Sequence, residues 1–298
     1  RYRGRVKPRE AGADELAGQH PIHKRHRERI RLDEIPSDNV ERATAAYYGL
    51  VSFLDDEVGK LLDGQERRER LDNTVVIYFS DHGEMLGEYG RWHKQTFYEA
   101  SARVPLLIRS PFVDSPAAVD TPVSLLDLFP TVCGLAGQEI PPQAEGQDLL
   151  SGGYEPRPVF CVTHARQYSH RMIRAGRYKL NVYGGHEMSE LFDLEEDPGE
   201  RINHSGDPRY AEVERDLRDT LFADGWTGTL AADHRRAMQE LGFPLVDQTG
   251  GKAKELIEAG ILLDIPGYDP AAAWYENRLD EDPSPSEPGS LPAGPDRK

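Results

Sequence analysis

One short apolar run constrains the fold more than any other part of the sequence. Residues 73–81 read NTVVIYFSD, an almost unbroken row of β-branched and aromatic residues that stops at Asp81 and His82. Such a run is typical of a parallel β-strand that is covered on both faces. Residues 103–111, RVPLLIRSP, have the same character. We therefore predict two such strands, with polar side chains at the carboxyl end of the first.

Helical patterns flank these strands. Apolar residues recur at helical spacing from Val40 to Leu61, which predicts an amphipathic helix from Asp38 to near Gly64. Residues 124–137, SLLDLFPTVCGLAG, predict a second helix that ends at a glycine. The order helix, strand, loop, strand, helix predicts an α/β fold with a doubly wound sheet.

The composition and the residue pattern change along the chain, and these changes divide it into predicted regions. Residues 1–155 are assigned to the α/β domain, which starts with an irregular basic surface segment at residues 1–35. Residues 156–226 predict a smaller antiparallel α+β subdomain with DPGE as a turn. Residues 227–282 predict a helical extension, and the Pro, Ser and Gly-rich residues 283–298 predict a disordered tail.

Three histidines in the basic segment raise the question of a metal site. His20, His23 and His26 follow one another at intervals of three residues. Arginines and Lys24 surround them and would oppose a bound cation. We therefore favour a solvated loop or the start of a helix at this position.

Charge and composition narrow the classes of function. The formal net charge of −16 over 298 residues argues against binding to nucleic acid or to anionic membranes. No run approaches the roughly 18 apolar residues of a membrane span. The two cysteines do not make a disulfide framework, which favours a reducing compartment only weakly. Because the sequence begins at Arg1, the compartment, cytoplasmic or exported, stays undetermined.

The polar residues after the first strand are candidates for chemistry, because ligands in open α/β sheets bind beyond the carboxyl ends of the strands. Asp81 and His82 carry oxygen and nitrogen donors suited to a divalent cation, and Lys94 is suited to neutralise a phosphate or sulfate group. On the pattern alone, a turn-capping Asp81 and a half-buried, hydrogen-bonding His82 are the favoured alternative. We predict a structural ion pair between Glu99 and Arg103.

The segment SDHGEMLGEYGRWHKQTFYEASARVPLLI (residues 80–108) resembles the second signature region of the sulfatases, within the alkaline-phosphatase-like superfamily. YYGLVSFLDDEVGKLL is similar to the preceding helix of that family, and RMIRAGRYKLNVY and ELFDLEEDPGERIN are similar to its C-terminal strands and acidic turn. The resemblance covers about residues 40–222 and is nearest to choline-sulfatases, arylsulfatases and phosphonate monoester hydrolases.

This resemblance implies roles for individual residues. Asp81 and His82 would be metal ligands, and Lys94 would contact the sulfate group and stabilise charge on its oxygens. It implies a divalent metal ion, Ca²⁺ or Mn²⁺, and a histidine at position 82 favours Mn²⁺.

The sequence departs from the family at the nucleophile. Sulfatases use a formylglycine made from a Cys/Ser-x-Pro-x-Arg sequence, whereas Cys133 is followed by GLAG and Cys161 by VTHA. The paired aspartates that complete the family's metal site are not visible either. We therefore expect the C-terminal part of a sulfatase, inactive alone, whose nucleophile and formylglycine belong to an N-terminal part.

Three functions follow from this comparison of motifs. The first is metal-dependent hydrolysis of a small anionic sulfate ester, with His93 and His164 as candidate substrate contacts. His170 is considered beside them, although an ordinary surface histidine is favoured for both His164 and His170. The second is hydrolysis of a phosphonate monoester or phosphodiester. The third is a non-catalytic binding protein or half of a split enzyme, for which exposed sheet edges predict poor solubility or a homo-oligomer.

Overall fold

Two β-sheets organise the chain. The computed structural model describes residues 1–9, 11–29, 34–112, 118–165 and 168–223. The predicted helical extension and tail, residues 227–298, lie outside them, and the division into domains stays a prediction. The helices and strands are α1 (Ala13–Gly18), α2 (Pro21–Arg29), α3 (Ser37–Glu66), β1 (Val76–Phe79), α4 (Glu99–Ala102), β2 (Leu106–Arg109), α5 (Leu128–Leu135), β3 (Val159–Ala165), β4 (Tyr168–Ala175), β5 (Tyr178–Tyr183), β6 (Ser189–Asp193) and α6 (Ala211–Leu221).

Strands β1 and β2 confirm the two apolar runs, but they pair antiparallel, with Val76 opposite Arg109 and Phe79 opposite Leu106. The predicted parallel arrangement is therefore wrong for this pair. The connection between the strands contains no helix longer than the four-residue α4, and parallel strands need a longer crossover. The strands are also not covered on both faces, since Phe79 is 48% and Leu107 is 58% exposed. Helices and sheets together still give the predicted α/β class.

The two helices predicted beside these strands are present. α3 begins at Ser37 and ends at Glu66, close to the predicted bounds. α5 follows a short 3₁₀ turn and carries Pro130 as its third residue, where the missing N–H has no partner within the helix anyway. None of the helices in the described part of the chain combines the length and the apolar character that crossing a bilayer requires.

The second sheet, in the order β3-β4-β5-β6, is antiparallel throughout and confirms the strands predicted after residue 155. Helix α6 packs Leu217 and Leu221 against Ile173, Leu180 and Leu191 of this sheet. Burying each of these side chains contributes about 1.5–3 kcal/mol. This cluster is the main apolar core that supports the second sheet.

The N-terminal segment differs from the predicted irregular surface segment. Helices α1 and α2 occupy part of residues 1–35, and α2 starts with a proline, which suits a first helical turn. His20 and His23 are only 0% and 2% exposed, so the solvated loop is wrong for them, whereas the predicted start of a helix is confirmed by α2. Nε2 of His20 lies 3.0 Å from the carbonyl oxygen of Met188, and Nε2 of His23 lies 3.0 Å from the hydroxyl of Tyr183. Each buried ring therefore has a hydrogen-bond partner.

A buried lysine connects the two sheets. Lys179 of β5 is fully buried, and its Nζ lies 2.9 Å from Oε1 of Glu99 and 2.7 Å from Oε1 of Glu200. Arg174 of β4 lies 3.0 Å from the other oxygen of Glu99. The ion pairs of Glu99 are therefore not the predicted pair with Arg103. Glu99 is the first residue of α4, which lies in the connection between β1 and β2. The contacts of Glu99 with Lys179 and Arg174 therefore hold this connection against the second sheet.

Replacing Lys179 by Met is expected to lower the free energy of unfolding by about 3–5 kcal/mol, because buried Glu200 loses its cationic partner. Denaturant unfolding followed by circular dichroism measures the change. The matched control is Lys60→Met, which removes an ion pair whose lysine is 68% exposed and should cost less than about 1 kcal/mol. Equal costs for the two substitutions would contradict a connecting role for Lys179.

Two buried histidines must stay neutral for their contacts to form. Nδ1 of His20 accepts a hydrogen bond from the N–H of Ile22, and Nδ1 of His170 accepts one from the N–H of Gly184. Burial lowers the pKa of each ring to about 4, and His186 adds to the lowering. His170 is 3% exposed and is therefore not the surface histidine that the sequence predicted.

Mild acid is therefore expected to destabilise the fold. The two pKa values fall from 6.5 in the unfolded chain to about 4 in the fold, so the stabilisation is complete above pH 6.5 and is lost as the pH falls from 6.5 to 4. Urea unfolding across this range should show a falling free energy of unfolding, with a shallower slope for His170→Gln. A flat profile over the same range would show that these rings are not held neutral.

Candidate functional site

The turn after β1 places Asp81 and His82 at the end of the strand, and Gly83 makes this turn possible. The N–H of Gly83 donates to the carbonyl oxygen of Ser101 at 2.8 Å. A Cβ at position 83 would lie 2.0 Å from the carbonyl oxygen of Ala100, so no larger residue fits without a backbone shift. The glycine therefore lets the turn pack directly against the backbone of α4.

The ring of His82 is held in one tautomer. Its Nδ1 lies 2.8 Å from the carbonyl oxygen of Gly83, which can only accept, so Nδ1 carries the proton. Nε2 therefore presents a lone pair, and Nζ of Lys94 donates to it at 2.6 Å. A hydrogen bond from the other ring nitrogen to a carbonyl oxygen is an arrangement that orients metal-ligating histidines.

Asp81 has one oxygen bound to the turn and the other close to the His82 ring. Oδ1 accepts from the N–H of His82 at 2.9 Å, and Oδ2 lies 3.4 Å from Nε2 of His82. Slight desolvation raises the pKa of Asp81, but the backbone hydrogen bond, the His82 ring and Lys94 together lower it below its usual value. The turn-capping alternative accounts for Oδ1 of Asp81 and Nδ1 of His82, but not for Oδ2 of Asp81 or for Nε2 of His82, which accepts from Lys94.

These two remaining atoms fit adjacent positions around a divalent cation. Bonds of about 2.1–2.3 Å place neighbouring ligands of a six-coordinate ion roughly 3 Å apart, close to the 3.4 Å between Oδ2 of Asp81 and Nε2 of His82. A mixed oxygen and nitrogen set suits Mn²⁺ better than Ca²⁺, which prefers oxygen. Within the residues that the structure describes, no group of three or more His, Cys, Asp or Glu side chains is arranged to hold a metal ion. The pair can supply one part of a metal site and needs further donors.

Lys94 lies on a loop with an unusual backbone. His93 and Gln95 on either side have φ angles of 65° and 56°, and Leu86 and Tyr89 earlier in the loop have φ angles of 48° and 56°. Left-handed backbone at residues other than glycine costs about 1–3 kcal/mol each and persists only where the surroundings fix it. Such residues concentrate at functional sites, which makes this loop a candidate for holding Lys94 in one position.

Glu84 ties the two ends of this loop together. Its Oε1 accepts from the N–H of His93 at 2.7 Å and from the N–H of Leu86 at 3.3 Å. The N–H of Met85 also donates to the carbonyl oxygen of His93 at 3.0 Å. These bonds hold Lys94 beside the aspartate and histidine of the preceding turn.

Next to the loop, a buried carboxylate organises several side chains. Glu190 of β6 accepts hydrogen bonds from the hydroxyls of Tyr98 at 2.9 Å and Tyr183 at 2.6 Å, and from the side-chain amide of Asn181 at 3.2 Å. Burial alone would raise the pKa of Glu190, but the ring of His23 and these hydrogen bonds lower it to about 2. The carboxylate is therefore ionised at neutral pH although it is buried.

This network supports the Lys94 loop, and sequence reasoning missed it. The ring of Tyr98 stacks on that of Tyr89 in the loop, with centroids 4.3 Å apart. Glu190 lies in a strand-and-turn segment rich in acidic residues, and nothing in the sequence distinguishes it from a surface carboxylate. The one available signal was the spacing of His20 and His23, because both rings pack against Tyr183 beside Glu190.

The structure brings three of the predicted site residues together, namely Asp81, His82 and Lys94. His93 is exposed, and it is its backbone that binds Glu84. His164 lies in β3 of the second sheet, opposite Ser169. Substrate contact stays a prediction for both His93 and His164.

Comparison with known proteins gives a family for this part of the chain. The sulfatase family matches residues 7–138. The choline-sulfatase of Rhizobium meliloti (strain 1021) is 39% identical over an alignment of 214 residues that covers 67% of this chain and 41% of that protein. Arylsulfatase K of Mus musculus is 32% identical over 185 residues, 56% of this chain and 33% of that protein. The phosphonate monoester hydrolase of Agrobacterium radiobacter superposes with a TM-score of 0.56 at 25% identity, over 66% of this chain and 44% of that one.

Fold and comparisons together define an alkaline-phosphatase-like α/β fold. The chain carries a domain of the sulfatase family, which confirms the resemblance seen in its sequence. The chain spans only 41% of the length of the choline-sulfatase that it matches. The activity of a whole protein of this kind therefore does not follow from the match alone.

Gly83→Ala is expected to push the turn that carries Asp81 and His82 away from α4, because the added Cβ would overlap the carbonyl oxygen of Ala100. The free energy of unfolding should fall by about 1–3 kcal/mol in a denaturant titration. Gly152→Ala is the matched control, since a Cβ there meets nothing within 4 Å and should change stability by less than about 0.5 kcal/mol. If Gly83→Ala is as stable as the control, the close packing of this turn is wrong.

Proposed function

We propose that this chain supplies one side of the active site of a metal-dependent sulfuric ester hydrolase. The observation that carries the proposal is the cluster at the end of β1, where Oδ2 of Asp81 and Nζ of Lys94 lie 3.4 Å and 2.6 Å from Nε2 of His82. A carboxylate, an imidazole lone pair and an ammonium group in one exposed place can serve both a cation and an anion. Membership of the sulfatase family supports the assignment to sulfate esters.

Each residue of the cluster has a distinct task in this proposal. Asp81 and His82 donate to a divalent ion, Mn²⁺ or Ca²⁺, which when bound neutralises charge on the sulfate and orients it. Lys94 contacts the sulfate oxygens and stabilises the charge that builds on them during cleavage. With a net charge of −16 for the chain, this local positive charge offsets the long-range repulsion of an anionic ester.

The remaining parts of the reaction belong outside this chain in the proposal. The nucleophile, a formylglycine in the sulfatase family, and the further metal donors would come from an N-terminal part, so the chain alone is inactive. The substrate is a small sulfate ester, in keeping with the names of the choline-sulfatase and arylsulfatase relatives. His93 and His164 are proposed as its contacts, and neither a nucleic acid nor a membrane lipid is a proposed partner.

Lys94→Ala in the natural full-length protein is expected to lower kcat for an aryl sulfate by about 10²–10³-fold, because one charge-stabilising group is lost. Lys60→Ala, which removes an exposed lysine of α3, is the control and should leave kcat unchanged. Near-normal turnover of the Lys94 variant, with the fold intact by circular dichroism, would end the assignment of Lys94 to the sulfate group.

A second candidate is hydrolysis of phosphonate monoesters or phosphodiesters. The structural likeness to the phosphonate monoester hydrolase of Agrobacterium radiobacter favours it, with a TM-score of 0.56. The cluster around His82 has no feature that by itself separates a sulfate from a phosphonate, since both present tetrahedral oxygens. The choice between the two therefore rests on relative rates.

Rates on matched aryl esters separate the two functions. We expect kcat/KM of the full-length protein for 4-nitrophenyl sulfate to exceed that for 4-nitrophenyl phenylphosphonate by at least about tenfold, which corresponds to about 1.4 kcal/mol in transition-state binding. Both substrates release the same phenolate, so the comparison reports on the transferred group. The reverse order would assign the site to phosphonate esters.

A further inference from the structure

The loop that carries Lys94 contains a buried arginine. Arg91 lies three residues before Lys94 and is only 2% exposed. Its Nη2 donates a hydrogen bond to the backbone carbonyl oxygen of Gln95 at 3.3 Å. The side chain of one loop residue therefore holds the backbone of another, on the far side of Lys94.

Packing alone does not explain an arginine at position 91. Burial disfavours a charged group, and it lowers the pKa of Arg91, although the nearby carboxylate of Glu190 opposes the lowering. Nε of Arg91 is buried and has no hydrogen-bond partner among the described residues. Such buried polar atoms are rare in native proteins and call for an explanation of their own. The contact with Gln95 provides one.

Lys94 lies between two anchored backbone positions. On one side, the N–H of His93 donates to Oε1 of Glu84 at 2.7 Å. On the other side, the carbonyl oxygen of Gln95 accepts the hydrogen bond from Arg91. His93 and Gln95 have φ angles of 65° and 56°, in the left-handed region that residues other than glycine rarely adopt. Each anchor therefore holds one of the two strained residues that flank Lys94.

Backbone hydrogen bonds within the loop bring Arg91 to this place. The N–H of Gly87 donates to the carbonyl oxygen of Arg91 at 2.8 Å, and the N–H of Arg91 donates to that of Glu88 at 2.8 Å. The N–H of Met85 donates to the carbonyl oxygen of His93 at 3.0 Å. These bonds close the loop on itself, so Arg91 has a fixed main chain from which to hold Gln95.

We propose that Arg91 is a positioning residue for Lys94. It holds the carbonyl oxygen of Gln95 while Glu84 holds the N–H of His93, and the main chain of Lys94 is fixed between them. The ammonium group can then move between its histidine partner and an anion while its own main chain stays in place. The inference rests on the proposed function, and it adds a residue that acts through Lys94 rather than on the substrate.

The alternative is that Arg91 serves stability alone, as a positive charge near the ionised Glu190. Glu190 already accepts hydrogen bonds from the side chains of Tyr98, Tyr183 and Asn181, so its charge does not depend on Arg91 alone. A purely stabilising arginine could be replaced with a loss of stability and no change at Lys94. The two alternatives therefore differ in what happens to the Lys94 side chain.

Trace acetylation of lysines tests the inference in the natural full-length protein, treated with EDTA so that no metal competes for His82. Limiting acetic anhydride is added, and mass spectrometry gives the acetylation of Lys94 relative to that of the exposed Lys24. An amine held in a hydrogen bond reacts more slowly than a free one. We therefore expect Arg91→Met to raise the ratio of Lys94 to Lys24 acetylation by about three- to tenfold, because Lys94 loses its hold on His82.

Two further variants serve as controls. Arg91→Lys keeps a charged donor in the same place and should hold the ratio within about twofold of that in the natural protein. Arg109→Met removes another arginine that donates to a backbone carbonyl, that of Leu71 at 2.8 Å, outside the loop. It should leave the ratio unchanged.

Turnover of an aryl sulfate gives a second measurement. A displaced Lys94 weakens the stabilisation of developing charge more than it weakens substrate binding. Arg91→Met should therefore lower kcat by about 10–10²-fold and change KM by less than about threefold, and Arg91→Lys should restore most of kcat.

An unchanged acetylation ratio in Arg91→Met would overturn the inference, whatever the stability of the variant. If Arg91→Met does not fold, Arg91→Gln takes its place, since its amide is polar and two atoms shorter than the guanidinium. An equal rise of the ratio in Arg109→Met would also refute a specific role for Arg91. If the ratio rises as expected but the natural protein hydrolyses no sulfate ester, the proposed function fails alone. If the natural protein hydrolyses aryl sulfates and Arg91→Met changes neither the ratio nor kcat, the positioning role fails alone.

Discussion

The arrangement of the site depends on one buried ammonium group. Lys179 joins Glu99 at the start of α4 to Glu200 after β6, and the other oxygen of Glu200 accepts from the N–H of Glu99 at 2.6 Å. Charged groups that are buried away from water need such partners, so these contacts hold α4 against the second sheet. α4, fixed in this way, is the surface against which Gly83 packs, and that turn positions Asp81 and His82.

Local patterns predicted the elements of the fold better than their pairing. The periodic apolar residues of α3 and the β-branched run of β1 are local signals, so both were found. The antiparallel pairing of β1 with β2 depends on how the intervening loop returns, which the strands themselves do not encode. Burial of Glu190 could not be predicted, because its partner Tyr98 lies 92 residues away in sequence and the pair forms only in the folded chain.

The site was predicted only in part, for a related reason. Asp81 and His82 follow a strand, and Lys94 lies in a segment that resembles the sulfatase family, so sequence alone nominated all three. Their cooperation is a property of the fold, in which the ammonium of Lys94 donates to the lone pair of His82. In the proposed site a metal ion would need that same lone pair, so metal binding would require Lys94 to leave Nε2. This movement would release the lysine toward an anion beside the metal.

The most direct test is a crystal structure of the natural full-length protein loaded with Mn²⁺, with diffraction recorded at the manganese absorption edge. The account predicts an anomalous peak about 2.0–2.3 Å from Oδ2 of Asp81 and Nε2 of His82. It also predicts that Nζ of Lys94 has left its position 2.6 Å from Nε2. A manganese peak elsewhere in the protein, with Lys94 still bound to His82, would contradict the central claim that these residues form one side of a metal and sulfate site.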